Sequence, residues 1–198
     1  PMSSMHDDPA LPPPLTAAEA ERLVEIAWDS VHRGLAHGKP GLPDPGGLPE
    51  RLRNVGAAFV TLEIGGGLRG CIGSLEPVDP LAVDVARNAF KAAFRDPRFP
   101  SLTESELDGL DLKISVLGPP VPVPAQTETE LLAALEPGLD GLILELPPSH
   151  RSTFLPQVWD SLPEGPAFLA HLRRKAGLPP DFWSPELLFH RYRMREVR

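Results

Sequence analysis

Six consecutive residues, Leu68-Arg69-Gly70-Cys71-Ile72-Gly73, contain the only cysteine in this chain, with an arginine two positions before it. On an extended strand, residues two apart point the same way, so Arg69 and Cys71 are expected to share one face and Leu68 and Ile72 the other. A cation beside a thiol lowers its pKa and favours the nucleophilic thiolate. Gly70 and Gly73 would let a ligand approach the backbone closely. Two readings of Cys71 stand side by side: a nucleophile or redox centre activated by Arg69, or a small buried side chain in a tight strand, a common state of free cysteine. Arg69 itself either holds a carboxylate or phosphate in its planar fork or pairs with Glu63 across a hairpin.

A second cluster is Arg95-Asp96-Pro97-Arg98-Phe99-Pro100. Pro97 and Pro100 stiffen this turn, and rigid placement of Arg95, Asp96 and Arg98 is what a binding loop needs, because less entropy is lost on capture. The alternative is that Asp96 satisfies backbone N–H groups while Phe99 plugs the core. The six histidines show no ligand spacing such as HxxxH, and one cysteine excludes an internal disulfide or a CxxC metal site. No GxxxxGK[ST], GxGxxG or GxSxG pattern is present, which leaves nucleotide binding and serine hydrolysis by those routes without support. Trp28, Trp159 and Trp183 read as core or rim packing.

The elements that must position these residues are legible. Thr16 and Glu19 form a capping-box pattern for a helix to about His37, with Leu23, Ile26, Ala27, Val31 and Leu35 near helical spacing. Residues 38–50 are rich in proline and glycine and read as a loop. Alternation over Ala57 to Ile64, three glycines at 65–67, and a return over Leu68 to Ser74 make a β-hairpin. Asp79-Pro80 starts a helix to about Phe94, with Leu81, Val85, Ala89 and Ala92 in one stripe. A capping box at Thr103 and Glu106 predicts a short helix, and Leu110, Leu112, Ile114 and Val116 alternate as a third strand. Thr127 and Glu130 cap a helix ending near Leu135. Strands over Leu142 to Leu146 and His150 to Phe154, helices near 156–160 and 166–176, and a strand over Leu187 to Val197 complete the pattern. Hairpins with irregularly interspersed helices indicate an α+β fold, an antiparallel sheet flanked by helices.

The chain's 198 residues are 41% hydrophobic, within the globular range, and can bury a substantial core. Residues 1–15 are polar and proline-rich, and a mobile tail is expected there. The formal charge of −8 argues against non-specific nucleic-acid binding, and no stripe of stacking aromatics appears. Residues 151–198 are locally basic, with eight Lys/Arg against five Asp/Glu, either a solvated face or a local anion site. No run of about 20 apolar residues predicts a membrane span, and the start lacks a basic-then-apolar leader pattern, so a cytoplasmic location is expected.

The hexapeptide at 68–73 resembles the signature of the AMMECR domain family. Residues 95–100 resemble its second motif, and Gly138-Leu139-Asp140-Gly141-Leu142 and Thr153-Phe154-Leu155-Pro156-Gln157-Val158 its third and fourth. Arg174-Lys175-Ala176-Gly177-Leu178 also matches. The resemblance spans residues 16–197 in order, as a single domain of two closely joined subdomains around an antiparallel sheet. It implies company: such domains are often encoded beside, or fused to, a Memo-like protein and a radical-SAM protein, and this chain looks like the first member of that three-part system. It supplies no established reaction and no defined cofactor. Thr153, Gln157 and Lys175 would add polar groups to the same cleft as Cys71, or serve as a cap, a surface amide and a solvated ammonium. Two functions follow as expectations. One is an enzyme or enzyme subunit acting on a small anionic substrate, with Cys71 and Arg69 at the reacting centre and Arg95 or Arg98 holding the anion. The other is a non-catalytic partner of the Memo-like and radical-SAM proteins, its motif surface a docking patch or ligand-sensing site.

Overall fold

The structure, a computed structural model, describes residues 8–198. In chain order its elements are α1 (Ala17–His37), α2 (Glu50–Arg53), β1 (Ala58–Ile64), β2 (Gly67–Gly73), α3 (Leu81–Phe94), β3 (Leu110–Leu117), β4 (Val121–Pro122), α4 (Glu128–Ala133), β5 (Gly141–Leu146), β6 (His150–Phe154), α5 (Val158–Ser161), α6 (Gly165–Lys175), β7 (Leu188–Tyr192) and β8 (Met194–Val197). The fold is α+β, with two four-stranded sheets where one was expected. The chain divides into two compact units. One comprises Pro13–Leu117 and Arg195–Arg198, the other Gly118–Met194 with the described residues up to Pro12.

In the first unit the strand order is β2-β1-β3-β8, with β1 antiparallel to both neighbours. The α1 capping box forms: Thr16 accepts the Glu19 N–H while Glu19 reaches back to the Thr16 N–H. This satisfies two of the donors that a helix start leaves orphaned. Gly38 closes the helix at φ 66°, a left-handed position that suits glycine. Leu23, Ile26, Ala27 and Val31 of α1 and Val85, Ala86 and Ala89 of α3 pack with Ala58, Val60, Leu62, Leu112 and Ile114 in one core. One face of the sheet is therefore spent on the helices, and β1 and β3 send their alternate residues to the other. The α3 helix begins at Leu81, one residue later than Pro80 suggested, with no side-chain cap. Thr103 and Glu106 do form a capping box, but on a 3₁₀ turn over Glu104–Gly109.

In the second unit the order is β4-β7-β5-β6. Leu131, Leu142, Leu144, Trp159, Phe168, Leu169 and Leu172 form its core, and the Trp159 and Phe168 rings stack with centroids 3.8 Å apart. The strand expected over Leu187 to Val197 breaks at Arg193. That residue is buried, with its N–H given to Ala10 O at 2.9 Å and its Nε to Asp140 Oδ1 at 2.7 Å. Asp8 adds a forked pair with Arg191 at 3.0 and 3.1 Å. Of the expected tail, residues 1–7 lie outside the described residues. Residues 8–12 are held on the second unit by these bonds, a correction that polar composition alone hid. Among the described residues no helix is long and apolar enough to cross a membrane.

Candidate functional site

The β1–β2 hairpin turns at Gly65 and Gly66, which take φ values of 59° and 78°. Its register pairs Phe59 with Gly73, Thr61 with Cys71 and Leu62 with Gly70, then shifts so that Glu63 pairs with Leu68. Arg69 is the extra residue of this β-bulge, and a bulge breaks strict alternation. The partners of the Arg69 side chain are Glu106 and Pro100, and none of these bonds reaches Cys71. Only 10% of the Arg69 side chain is exposed. Its Nε donates to Glu106 Oε1 at 2.7 Å, and its Nη2 to Glu106 Oε2 at 3.2 Å and to Pro100 O at 3.0 Å. The Arg69 hydrogen bond is the main cause holding the Glu106 carboxyl down to about 2. Arg69 thus pairs with Glu106, not with Glu63, whose partner is Lys113 at 2.6 Å. Arg69 Nη1 is buried and, among the described residues, has no acceptor.

Cys71 is half-buried, and each of its polar groups has a partner. Its Sγ accepts from Thr61 Oγ1 at 3.3 Å, its N–H donates to Asp96 Oδ2 at 2.9 Å, and its carbonyl accepts from Arg98 Nη2 at 3.1 Å. Because β2 is an edge strand, its outer N–H and C=O groups would otherwise be open to pairing with another chain. The proline-stiffened turn covers them. Asp96, with 1% of its side chain exposed, is the hub of this cover: it also accepts the Arg98 N–H at 3.1 Å, Nε at 2.9 Å and Nη2 at 2.6 Å. The Arg98 hydrogen bond is the largest cause holding the Asp96 carboxyl well below the usual carboxylate range. Asp96 in turn favours the charged form of Arg98, with a smaller Coulombic contribution from Cys71. Phe99 lies 5.9 Å from the Arg69 guanidinium and 5.5 Å from that of Arg98. Arg95 caps α3 through its N–H to Lys91 O at 2.7 Å. Its side chain is exposed, with no hydrogen bond or ion pair among the described residues.

The glycines serve packing. A Cβ on Gly70 would collide with the Ala92 carbonyl oxygen, and one on Gly73 with the Phe59 ring. The space expected for a ligand is already taken by a helix end and an aromatic cover.

Register also reveals residues that the motifs did not. Thr61 pairs with Cys71 on one side and with Lys113 on the other, so Cys71, Thr61 and Lys113 form a row across the sheet face opposite the helices. Lys113 sits two strands, about 10 Å, from Cys71. The alternation of Leu110, Leu112, Ile114 and Val116 carried the signal for its face, but its neighbour could be named only once the pairing was known. At the end of β2, buried Asp84 accepts from Ala58 N at 2.9 Å and from the Ser74 hydroxyl, while Asn88 donates to Ala58 O at 3.2 Å. Burial pushes the Asp84 carboxyl up. The apolar stripe expected of α3 omitted these two residues, which anchor the start of β1.

The other candidates belong to the second unit. Thr153 Oγ1 lies 3.1 Å from the Tyr192 hydroxyl, which also bonds Phe154 O at 3.1 Å. Burial pushes that phenol up to about 12. Lys175 donates to Thr153 O at 2.9 Å and stands 5.2 Å above the Phe154 ring. Thr153 and Lys175 therefore meet. Gln157 is exposed at the start of α5, where its carbonyl accepts the Asp160 N–H. In the third motif, Asp140 binds Arg191 and Arg193, and a Cβ on Gly141 would lie 2.5 Å from the Tyr192 ring. Among the described residues no group of three His, Cys, Asp or Glu side chains is placed to hold a metal ion.

The Cys71 arrangement can present a thiol with one tethered cation, Arg98, bonded to the Cys71 carbonyl and a second, Lys113, about 10 Å along the row, each with its own carboxylate. A family model described as AMMECR1 matches residues 24–197. A protein of Methanothermobacter thermautotrophicus is 40% identical over 185 residues, covering 90% of this chain and 93% of that one. One from Aeropyrum pernix is 41% identical over 187 residues, covering 90% and 77%. The crystal structure of an uncharacterized protein, PH0010, from Pyrococcus horikoshii matches with a TM-score of 0.79 and 31% identity, over 92% of each chain.

Proposed function

Because this chain belongs to the AMMECR1 family, we propose that the Cys71 row is a binding centre for a small anionic ligand, with the thiol as its contacting or reacting group. The observation that carries this reading is the pairing of cations with structural carboxylates. Arg98 is fixed by buried Asp96 yet has 53% of its side chain exposed, and Lys113 is fixed by Glu63. A tethered cation loses little entropy when it captures an anion. The Thr61 hydroxyl donates to Sγ and orients it on the sheet face, and exposed Arg95 adds a positive charge with no internal partner among the described residues. Arg69 acts through Pro100 and Glu106, shaping the turn that carries Arg98. The free thiol fits a reducing, cytoplasmic setting.

Inorganic phosphate titrated against the labelled protein tests this reading. Saturable shifts are expected at the Thr61 and Cys71 amides, weakened at least fivefold by Arg98→Ala or Lys113→Met. Amides that stay unmoved at millimolar phosphate would overturn it.

A second reading, a docking surface for a partner such as a Memo-like or radical-SAM protein, draws on exposed apolar side chains, one at the start of β2 and one in the connection from β2 to α3. Leu68 is 47% and Val78 77% exposed. Loss of partner binding in Val78→Glu, with phosphate binding intact, would favour it.

A further inference from the structure

A groove of about 680 Å³ lies away from Cys71, along α1, with Ala17, Ala20, Val24 and Trp28 as its apolar wall. That volume falls in the usual range of ligand sites, roughly 300–1,000 Å³. The wall follows helical spacing, and a second line of Glu21, Glu25 and Asp29 runs beside it. His32 tilts against Trp28 with ring centroids 5.9 Å apart. Glu25 is paired with Arg22 at 2.8 Å, whereas the Glu21 and Asp29 carboxylates have no hydrogen bond or ion pair among the described residues. Arg198 also lines the groove, and its guanidinium is bonded to Glu196. With three carboxylates against one arginine, the lining is net negative. An indole face backed by carboxylates is the chemistry that receives a cation.

The geometry points to a basic amphipathic segment of a partner protein as the occupant of this groove. Its apolar side chains would lie on Ala20, Val24 and Trp28, and its lysines or arginines would meet Glu21 and Asp29. A second copy of this chain, at net −8, is repelled by the same carboxylates. The inference is independent of the Cys71 reading.

The probe is an amidated 14-residue helix of leucine and lysine, compared with its leucine–glutamate counterpart, and the readout is the Trp28 indole N–H resonance. The leucine–lysine peptide is expected to shift Trp28 while leaving Trp159 and Trp183 in place. Affinity should fall at least fivefold in the doubly substituted Glu21→Gln/Asp29→Asn protein, and also with added salt. Both carboxylates are exposed, so that variant keeps the fold. Equal binding of the acidic peptide, unchanged affinity in the double variant, or an unmoved Trp28 would each overturn the proposal. So would a Trp28 shift that depends on protein concentration without peptide, which would assign the groove to a second copy.

Discussion

At the scale of single residues, the candidate site is organised by Asp96 more than by the cysteine. One carboxylate holds the Cys71 N–H and three donors of Arg98. Asp96→Asn should cost about 1–3 kcal/mol, the usual penalty for stranding buried partners, as read by urea denaturation. It should also free Arg98 and weaken phosphate binding. Glu106 and Asp96 both have carboxyls depressed in the folded chain. Their stabilisation is complete above the unfolded carboxyl values near pH 4 and is lost as pH falls, through about 2 for Glu106 and lower still for Asp96. Thermal melts across that window should show wild-type stability dropping as acid is added, with a shallower drop in Glu106→Gln; parallel curves would refute the linkage. Gly70→Ala drives a Cβ into the Ala92 carbonyl, and overpacking of this kind costs about 1–3 kcal/mol or more.

At the scale of elements, the hairpin, α1 and α3 were legible because their patterns are local: alternation, a glycine turn, a capping box, an apolar stripe. The bulge at Arg69 was not, since strand register is set by pairing across the hairpin and leaves no mark in the hexapeptide. Alternation alone puts Arg69 beside Cys71; in the structure Arg69 bonds Glu106, and Arg98 is the tethered cation at the Cys71 carbonyl. Of the alternatives for the proline-rich turn, the satisfaction of backbone N–H groups by Asp96 is what the geometry displays. Lys113 and Thr61 escaped notice because cross-strand neighbours depend on register. The turn itself can be tested. Gly66 has φ 78°, so Gly66→Ala should destabilise the hairpin by about 1–2 kcal/mol through left-handed strain, visible as faster amide exchange in β1 and β2.

At the scale of the molecule, the chain divides into two units in a way that no local pattern reveals. Residues 8–12 join the second unit and Arg195–Arg198 the first. Asp8 fills a fork on Arg191, and Ala10, fully buried, accepts from Arg193. Removing residues 1–12 should therefore lower the melting temperature of the full chain by several degrees, with Asp8→Ala giving part of that loss. A truncated protein that melts unchanged would show that the segment contributes nothing.

The account rests on tethered cations beside a reachable thiol, and alkylation of Cys71 by charged and neutral reagents tests it most directly. The ratio of iodoacetate to iodoacetamide rates should exceed that of a free thiol. Arg98→Ala should lower it by up to about fivefold, the equivalent of roughly 1 kcal/mol for a charge about 4 Å away in water, and Lys113→Met, about 10 Å away, by no more than about twofold. A thiol alkylated by both reagents in the free-thiol ratio, or by neither in the folded protein, would contradict the account.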